Sequence, residues 1–184
     1  MILIRKTMKI YQLSFDYGYA LADIVESLNG ADSLDLSSDN PAMMKNFKYG
    51  WITTDSEKIP DFVLFLGDLL GCRADISEIV STLIPKLEPH LIKIGDDDYV
   101  LFSNILTISD SLNLKKSKVT RFSTGEIMEI SNPVFLPNNY PPLFKVEDMP
   151  TNYFCTQEFK DLLDSQSYTG LELKECKIKS KSWF

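Results

Sequence analysis

Residues 143–176, LFKVEDMPTNYFCTQEFKDLLDSQSYTGLELKEC, decide how the rest of the chain is interpreted. Thr156 suits the N-cap of a helix, because its hydroxyl can accept a hydrogen bond from an unpaired backbone N–H of the first turn. The apolar residues that follow it at helical spacing are Phe159, Leu162 and Leu163. After Thr169-Gly170, apolar and charged residues alternate as in a half-buried strand. The segment is therefore predicted to form a strand, a helix and a returning strand.

A second amphipathic helix is predicted over residues 75–87. Its apolar residues share one face, at Ile76, Ile79, Val80, Leu83, Ile84 and Leu87. Asp75 and Glu78 have the spacing of a capping box, and Pro85 limits the length of the helix because it lacks a backbone donor. A short helix is also predicted over residues 19–28, where apolar residues recur at helical spacing.

Two parts of the sequence align with each other without a gap, residues 69–80 and residues 152–163. Cys72 then lies opposite Cys155, and the apolar stripes of the two helices match. One interpretation is a pair of similar strand–helix–strand units packed on a common sheet. The other is chance, because capped amphipathic helices resemble one another.

The remaining patterns favour strands, including a hairpin over residues 90–108. Together they predict an α+β fold, with a mostly antiparallel sheet and two amphipathic helices. Residues 1–176 are predicted to form a single domain, and residues 177–184 a basic C-terminal tail. The length of 184 residues is ordinary for one domain with a sizeable core.

The composition also indicates a compartment. The three cysteines are odd in number and far apart, so no disulfide framework is expected and the predicted location is the reducing cytoplasm. The N-terminus places apolar residues before Arg5 and Lys6, which is the reverse of a secretory signal. The most hydrophobic run, residues 62–70, is too short to span a bilayer. Met1 and Met8 are both compatible with the start of translation.

The net charge of −7 is unevenly distributed. Residues 1–110 hold 9 Lys/Arg against 17 Asp/Glu, a net −8, whereas residues 111–184 have a net +1. An acidic body repels nucleic-acid phosphate and favours basic partners through long-range attraction. The plainer explanation is that net negative charge keeps a protein soluble.

Asp61, Glu172 and Lys174 are the residue types of a metal-dependent nuclease centre, in which carboxylates hold Mg²⁺ and a lysine orients water. Asp61 is more than a hundred residues from the other two, and a solvated strand face explains Glu172 and Lys174 more simply. His90 is the only histidine and the cysteines lack C-x-x-C spacing, so no zinc site is predicted. Cys155 is either an activated thiol beside a helix N-terminus or, as we favour, a buried structural thiol.

Two further clusters have simple interpretations. Asp96, Asp97 and Asp98 lack the other oxygen ligands of a calcium loop, so they are predicted to form a solvated hairpin turn. The basic run at residues 115–118 is predicted to be a solvated loop and not a nucleic-acid patch. No cofactor and no metal are therefore predicted.

The order of motifs resembles the C-terminal part of a bacterial immunity-protein family. That family is found beside polymorphic toxins and was long catalogued as a domain of unknown function. The motifs that carry the resemblance are Leu143-Phe144, Tyr153-Phe154-Cys155-Thr156, the helix, and Thr169-Gly170-Leu171-x-Leu173. Looser upstream features are Gly50-Trp51, Pro60-Asp61-Phe62 and the strand over residues 99–104.

The resemblance implies a cytoplasmic protein that neutralises a cognate toxin domain by stoichiometric occlusion, without catalysis. A basic toxin would contact exposed acids and an aromatic centre. The residues predicted to make these contacts are Asp32, Asp35, Asp39, Asp96, Asp97, Asp98 and Tyr140. The alternative is a small-ligand-binding protein or a metal-dependent phosphoesterase or nuclease-like enzyme. Neither nucleic acid nor membrane is a predicted partner.

Overall fold

The computed structural model describes residues 8–28, 30, 32, 40–52, 57–65 and 69–179. The strands are β1 (Ile10–Phe15), β2 (Leu21–Ser27), β3 (Phe47–Ile52), β4 (Phe62–Phe65), β5 (Leu69–Arg73), β6 (Glu88–Ile94), β7 (Asp97–Ser103), β8 (Thr107–Ile108), β9 (Lys118–Arg121), β10 (Ile127–Asn132), β11 (Val134–Phe135), β12 (Leu143–Val146), β13 (Met149–Thr156) and β14 (Leu171–Ile178). The helices are α1 (Ser77–Leu83), α2 (Gln157–Gln166) and two 3-10 helices, Pro41–Asn46 and Ala74–Ile76.

The predicted α+β class is wrong, because the fold is mainly β. Strands make up 49% of the described residues, whereas helices, 3-10 turns included, make up 17%. The helix predicted over residues 75–87 is reduced to the seven residues of α1, which follow a 3-10 turn. Neither α1 nor α2 has a side-chain hydrogen bond at its N-cap, although Thr156 does occupy that position in α2.

The helix predicted over residues 19–28 is also wrong, because this segment forms strand β2. The pairing of β2 with β3 has a register shift between Ile24 and Glu26. A bulge of this kind interrupts the two-residue alternation that identifies a strand, so the apolar pair Ile24-Val25 imitates helical spacing. By contrast, the hairpin of β6 and β7, helix α2 and strand β14 are confirmed.

Sheet 1 has the strand order β2-β3-β6-β7-β5-β4. Its first strand, β2, also contacts the last strand, β4, so the sheet curls towards a closed barrel. The backbone N–H of Ala20 donates to the carbonyl oxygen of Lys58 across this seam at 2.9 Å. The inside is filled by large side chains, among them Met44, Phe47, Tyr49, Phe65, Tyr99 and Leu101.

Sheet 2 has the order β11-β14-β1-β13-β12-β8 and curls in the same way. The residues that follow β8 return to the opposite edge, where Leu112 pairs with Phe135 and the N–H of Asn113 donates to the carbonyl oxygen of Val134 at 2.7 Å. The inside holds four mutually packed rings with centroids 5.0–6.0 Å apart, those of Phe135, Tyr140, Phe144 and Phe154. The hairpin of β9 and β10 contributes Ile130 to the same cluster.

A third hydrophobic cluster joins the two sheets. It includes buried residues of both sheets and both α-helices: Tyr11, Phe62, Leu70, Cys72, Val80, Val100, Leu143, Tyr153, Cys155, Phe159 and Leu163. Each sheet therefore buries side chains on both faces, one inside its own curl and one against its neighbour. Because both faces are buried, several strands are continuous runs of apolar residues in the sequence. Strand β4, for example, is buried at all four positions.

The two sheets have corresponding strand orders around this shared core. In sheet 1, β5 leads through α1 to β6, and β7 lies between β5 and β6. In sheet 2, β13 leads through α2 to β14, and β1 lies between β13 and β14. The two cysteines occupy corresponding positions in the strand registers. Cys72 of β5 lies opposite Phe62 and Val100 on the neighbouring strands, and Cys155 of β13 lies opposite Leu143 and Tyr11.

The strand β14 runs to Ile178, and Lys179 still donates its N–H to the carbonyl oxygen of Phe135 at 2.8 Å. The first three residues of the predicted tail are therefore tied to sheet 2. Residues 180–184 lie outside the described part of the chain.

The chain segments around Asp61 and Gly170 connect the two sheets directly. Asp61 Oδ2 accepts hydrogen bonds from the backbone N–H of Thr169 at 2.9 Å and from its hydroxyl at 2.8 Å. The N–H of Phe62 donates to the carbonyl oxygen of Thr169 at 2.9 Å. Gly170 has φ +101°, and a Cβ at this position would lie 2.1 Å from the carbonyl oxygen of Phe62.

Gly170→Ala should therefore destabilise the protein far more than Gly125→Ala. Both glycines have positive φ, but Gly125 has open space where a Cβ would lie. The left-handed backbone alone costs about 1 kcal/mol, and the clash at Gly170 raises the expected loss to about 3 kcal/mol or more. Urea unfolding of the two variants measures the difference, and equal losses would contradict a close contact between the sheets at Gly170.

Candidate functional site

A tight turn between β6 and β7 places three acidic residues at one end of sheet 1. The turn is Gly95-Asp96, and the positive φ of Gly95 (+60°) suits the two-residue loop that joins twisted antiparallel strands. Asp96, Asp97 and Asp98 are all exposed. The predicted solvated hairpin is confirmed, but only Asp96 lies in the turn, whereas Asp97 and Asp98 begin strand β7.

An aromatic side chain lies against this turn. Trp51, on β3, donates its indole Nε1–H to Asp97 Oδ2 at 3.2 Å. Its ring meets the edge of the buried Tyr99 ring, with centroids 5.5 Å apart and planes at 71°. A Cβ on Gly95 would lie 3.5 Å from the indole, an ordinary van der Waals distance, so the ring lies directly beside the turn. Trp51 is thus held in a fixed position while part of it remains accessible.

A depression of about 500 Å³ adjoins the same turn. Its lining residues are Ile59, Arg73, Ala74, Asp75, Asp97, Asp98 and Tyr99. Ile59 is 43% exposed and supplies an apolar rim. We define the acidic end of sheet 1 as Asp75, Asp96, Asp97 and Asp98 together with Trp51 and Ile59.

Two basic residues partly neutralise the acidic end. Arg73 Nη2 lies 2.8 Å from Asp75 Oδ2, and Lys93 Nζ lies 2.8 Å from Asp98 Oδ1. The hydrogen bond to Asp75 raises the pKa of Arg73, and the hydrogen bond to Asp98 raises the pKa of Lys93. Exposed ion pairs contribute little to stability, so these carboxylates can exchange their partners for others at small cost.

Neither a scan against protein-family models nor a search of the curated proteins finds a match to this chain. In the described part of the chain, no helix has the length and the apolar character needed to cross a membrane.

The other residues predicted to contact a partner are dispersed. Asp32 is exposed, whereas Asp35 and Asp39 lie outside the described residues. Tyr140 is only 8% exposed. Its hydroxyl donates to the carbonyl oxygen of Leu136 at 2.8 Å, and the carbonyl oxygen of Ser111 lies 3.2 Å from the same hydroxyl. Burial raises the pKa of Tyr140 to about 12. Its ring belongs to the interior of sheet 2, so Trp51 and not Tyr140 supplies the accessible aromatic surface.

The residues of the nuclease-like alternative are not assembled into one depression among the described residues. Asp61 is engaged by Thr169, and Glu172 and Lys174 are exposed on β14. Lys174 instead reaches Asn132 Oδ1 at 3.5 Å. In the same described ranges, no group of three or more His, Cys, Asp or Glu side chains is placed to hold a metal ion. His90 Nε2 lies 2.7 Å from the Ser103 hydroxyl.

The structural interpretation of Cys155 is confirmed. Cys155 and Cys72 are both fully buried in the shared core, and burial raises the pKa of each thiol well above its usual range. Burial also raises the pKa of the partly exposed Cys176 to about 11. A thiol with a raised pKa holds its proton at neutral pH and is a poor nucleophile.

Sequence reasoning did not identify three members of the acidic end. Trp51 was noted only as part of a motif, Asp75 only as a helix cap, and Ile59 not at all. The pairing of β3 with β6 brings Trp51 to the turn, and the curl of sheet 1 brings Ile59 and Asp75 beside it. The glycine beside Trp51 gives no signal for this cluster, because Gly50 is in close contact with Val25 and not with the turn.

Native thiol reactivity should come from Cys176 alone and should be slow. At about pH 8 the thiolate is a minor species, and the reaction rate should rise about tenfold per pH unit until the pH approaches the pKa near 11. Ellman's reagent measures this with wild-type protein and with Cys176→Ser as the control. Rapid reaction of Cys176→Ser at about pH 7 would show that Cys72 or Cys155 is activated after all.

Proposed function

We propose that this chain is an immunity protein, which binds a cognate bacterial toxin domain in the cytoplasm and blocks it by stoichiometric occlusion. The resemblance in motif order suggests the class, and the acidic end of sheet 1 supplies a contact surface for it. On this proposal the toxin surface that is recognised is basic, and the protein performs no catalysis on it.

The observation that carries the proposal is the arrangement of Trp51 among the carboxylates. Protein interfaces gain most of their affinity from a few large anchors near the centre, and tryptophan is among the commonest of these. Trp51 is pre-positioned by Asp97 and Tyr99, so little side-chain freedom is lost on binding. The surrounding acids would accelerate association with a basic surface and would discriminate against acidic competitors.

The rigid framework also supports a surface role. The acidic turn is short and is fixed by β6 and β7, which pair along their whole length. Side chains of sheet 1 are packed both inside its curl and against sheet 2. A binding surface on such a framework needs little rearrangement, which is typical of tight inhibitory complexes.

A toxin gene is expected beside this one, and the direct test is binding to its toxin domain, prepared in an inactive form. Calorimetry should give a one-to-one complex with wild-type protein. Trp51→Ala should weaken the affinity about tenfold or more, because it removes the anchor. Absence of any complex with the neighbouring toxin domain would refute the proposed function.

Charge reversal should act mainly on the rate of association. Asp96→Lys/Asp98→Lys, which leaves the hydrogen bond between Trp51 and Asp97 in place, should slow association about tenfold at low salt, and the difference should shrink as salt is added. Glu158→Lys/Asp161→Lys, on the exposed face of α2, is the matched control, because it makes the same change in net charge away from the acidic end. Stopped-flow measurements compare the three proteins, and equal rates would place the interface elsewhere.

The enzyme alternative is tested with the same preparations. Wild-type protein is incubated with Mg²⁺ or Mn²⁺ and a generic phosphodiester, and no turnover is expected. Reproducible turnover that is lost in Glu172→Ala would favour the phosphoesterase. Glu172 is exposed on β14, so its substitution should leave the fold intact.

A further inference from the structure

The weakest seam within sheet 1 lies between β3 and β6. These strands are parallel and share a single residue pair, Tyr49 with Ile94. Strand β3 begins only two residues before Tyr49. The residues that precede it form the 3-10 helix Pro41–Asn46, which lies beside β6. Most of β6 is therefore flanked by a helix where a neighbouring strand would otherwise continue the sheet.

The backbone of β6 points its hydrogen-bonding groups into this gap. The N–H of Gly95 donates to the carbonyl oxygen of Tyr49 at 3.1 Å, so alternate residues back along the strand, Lys93 and Leu91, direct their N–H groups to the same side. Pro89 is the next residue in this series. Proline has no N–H to donate and within sheets is found on edge strands. Within the described part of the chain, no backbone hydrogen bond joins β6 to the 3-10 helix.

A surface groove follows the gap. Two adjoining depressions of about 290 and 430 Å³ share Met44, Lys45, Leu91 and Ile92 as lining residues. Leu91 is 71% exposed, which is unusual for a leucine in the middle of a strand. We call this feature, between β6 and the 3-10 helix, the lysine groove; its lining includes Met44, Lys45, Phe47, Lys48, Leu91 and Lys93.

The charge of the groove is opposite to that of the protein. Its lining includes Lys45, Lys48 and Lys93, and no Asp or Glu is found among the described residues that line it. The chain as a whole carries −7. Lys48 pairs with Glu26 at 2.6 Å and Lys93 with Asp98 at 2.8 Å, but both pairs are exposed and exchangeable.

We propose that the lysine groove is a docking site for an extended acidic polypeptide segment, which lies along the outer side of β6 beside the 3-10 helix. The N–H groups of Leu91 and Lys93 point towards this side of β6 and can donate to the backbone of the segment, as in β-augmentation. Side chains on one face of the segment contact Leu91 and Met44, and its carboxylates meet the three lysines. This site is distinct from the acidic end, although Lys93 of its lining forms an ion pair with Asp98 there.

The shape of the groove favours a polypeptide over a nucleic acid. A strand edge offers hydrogen bonds at the spacing of a second peptide backbone, and alternate side chains of that second strand fall on alternate faces. A single-stranded nucleic acid is bound instead by exposed aromatic faces that stack on bases. Phe47 and Tyr49, the aromatic residues of the groove lining, are both only 5% exposed.

The probe is a short fluorescein-labelled peptide that alternates glutamate with valine. Fluorescence anisotropy should show saturable binding that weakens with added salt, and the same peptide with lysine for glutamate should not bind. Amide hydrogen exchange provides the second readout: the N–H groups of Leu91 and Lys93 should exchange rapidly in the free protein and slowly in the complex. No binding at about 1 mM peptide would overturn the proposal.

Two double variants distinguish binding at the lysine groove from a general effect of the protein's net charge. Lys45→Glu/Lys93→Glu should weaken peptide binding at least about fivefold, whereas Lys115→Glu/Lys116→Glu, with the same change in net charge on a distant loop, should have no effect. Equal losses in the two variants would overturn the proposal. It would also be overturned by peptide binding without protection of Leu91 and Lys93, or by tighter binding of a single-stranded oligonucleotide in place of the peptide.

Discussion

The close contact between Phe62 and the Thr169-Gly170 backbone is the constraint on which the arrangement of the two sheets depends. Asp61 is bound to Thr169 by three hydrogen bonds, and the Phe62 ring packs against Phe159 and Tyr168. The approach is so close that only a glycine, with positive φ, fits at position 170. Because β4 is the edge of sheet 1 and Gly170 precedes β14 of sheet 2, this contact fixes the two curled sheets around their shared core.

The order of strands makes the two ends of the chain interdependent. In sheet 1 the central antiparallel strand, β7, follows β6 directly through a tight turn, whereas the corresponding strand of sheet 2 is β1, from the N-terminus. Sheet 2 therefore cannot form until β1 pairs with β13 and β14. Contacts of such long sequence separation are costly in loop entropy, so closure of sheet 2 is expected to be a late step in folding.

Local patterns in the sequence were sufficient for elements whose surroundings are simple. Helix α2 and β14 each have one buried and one solvated side, and their periodicity predicted them. The hairpin of β6 and β7 was predicted from its turn residues, although β7 is buried on both faces from Tyr99 to Ser103. The α+β class failed where burial is two-sided or the register shifts, as in β4 and β2. The exposure of Asp96, Asp97 and Asp98 was predicted from the sequence. The other members of the acidic end are Trp51, Ile59 and Asp75, and tertiary contacts that no local pattern encodes bring them beside these acids.

The two proposed binding surfaces meet at one ion pair. Lys93 lines the lysine groove and Asp98 belongs to the acidic end, and their side chains lie 2.8 Å apart. An acidic segment in the groove competes with Asp98 for Lys93, which leaves the Asp98 carboxylate available to a basic partner. By linkage, each partner then favours the binding of the other, and the coupling is limited to the small free energy of an exposed ion pair, about 0–1 kcal/mol. The hairpin of β6 and β7 thus separates opposite charges onto adjacent surfaces while the packed sheets beneath it hold both in place.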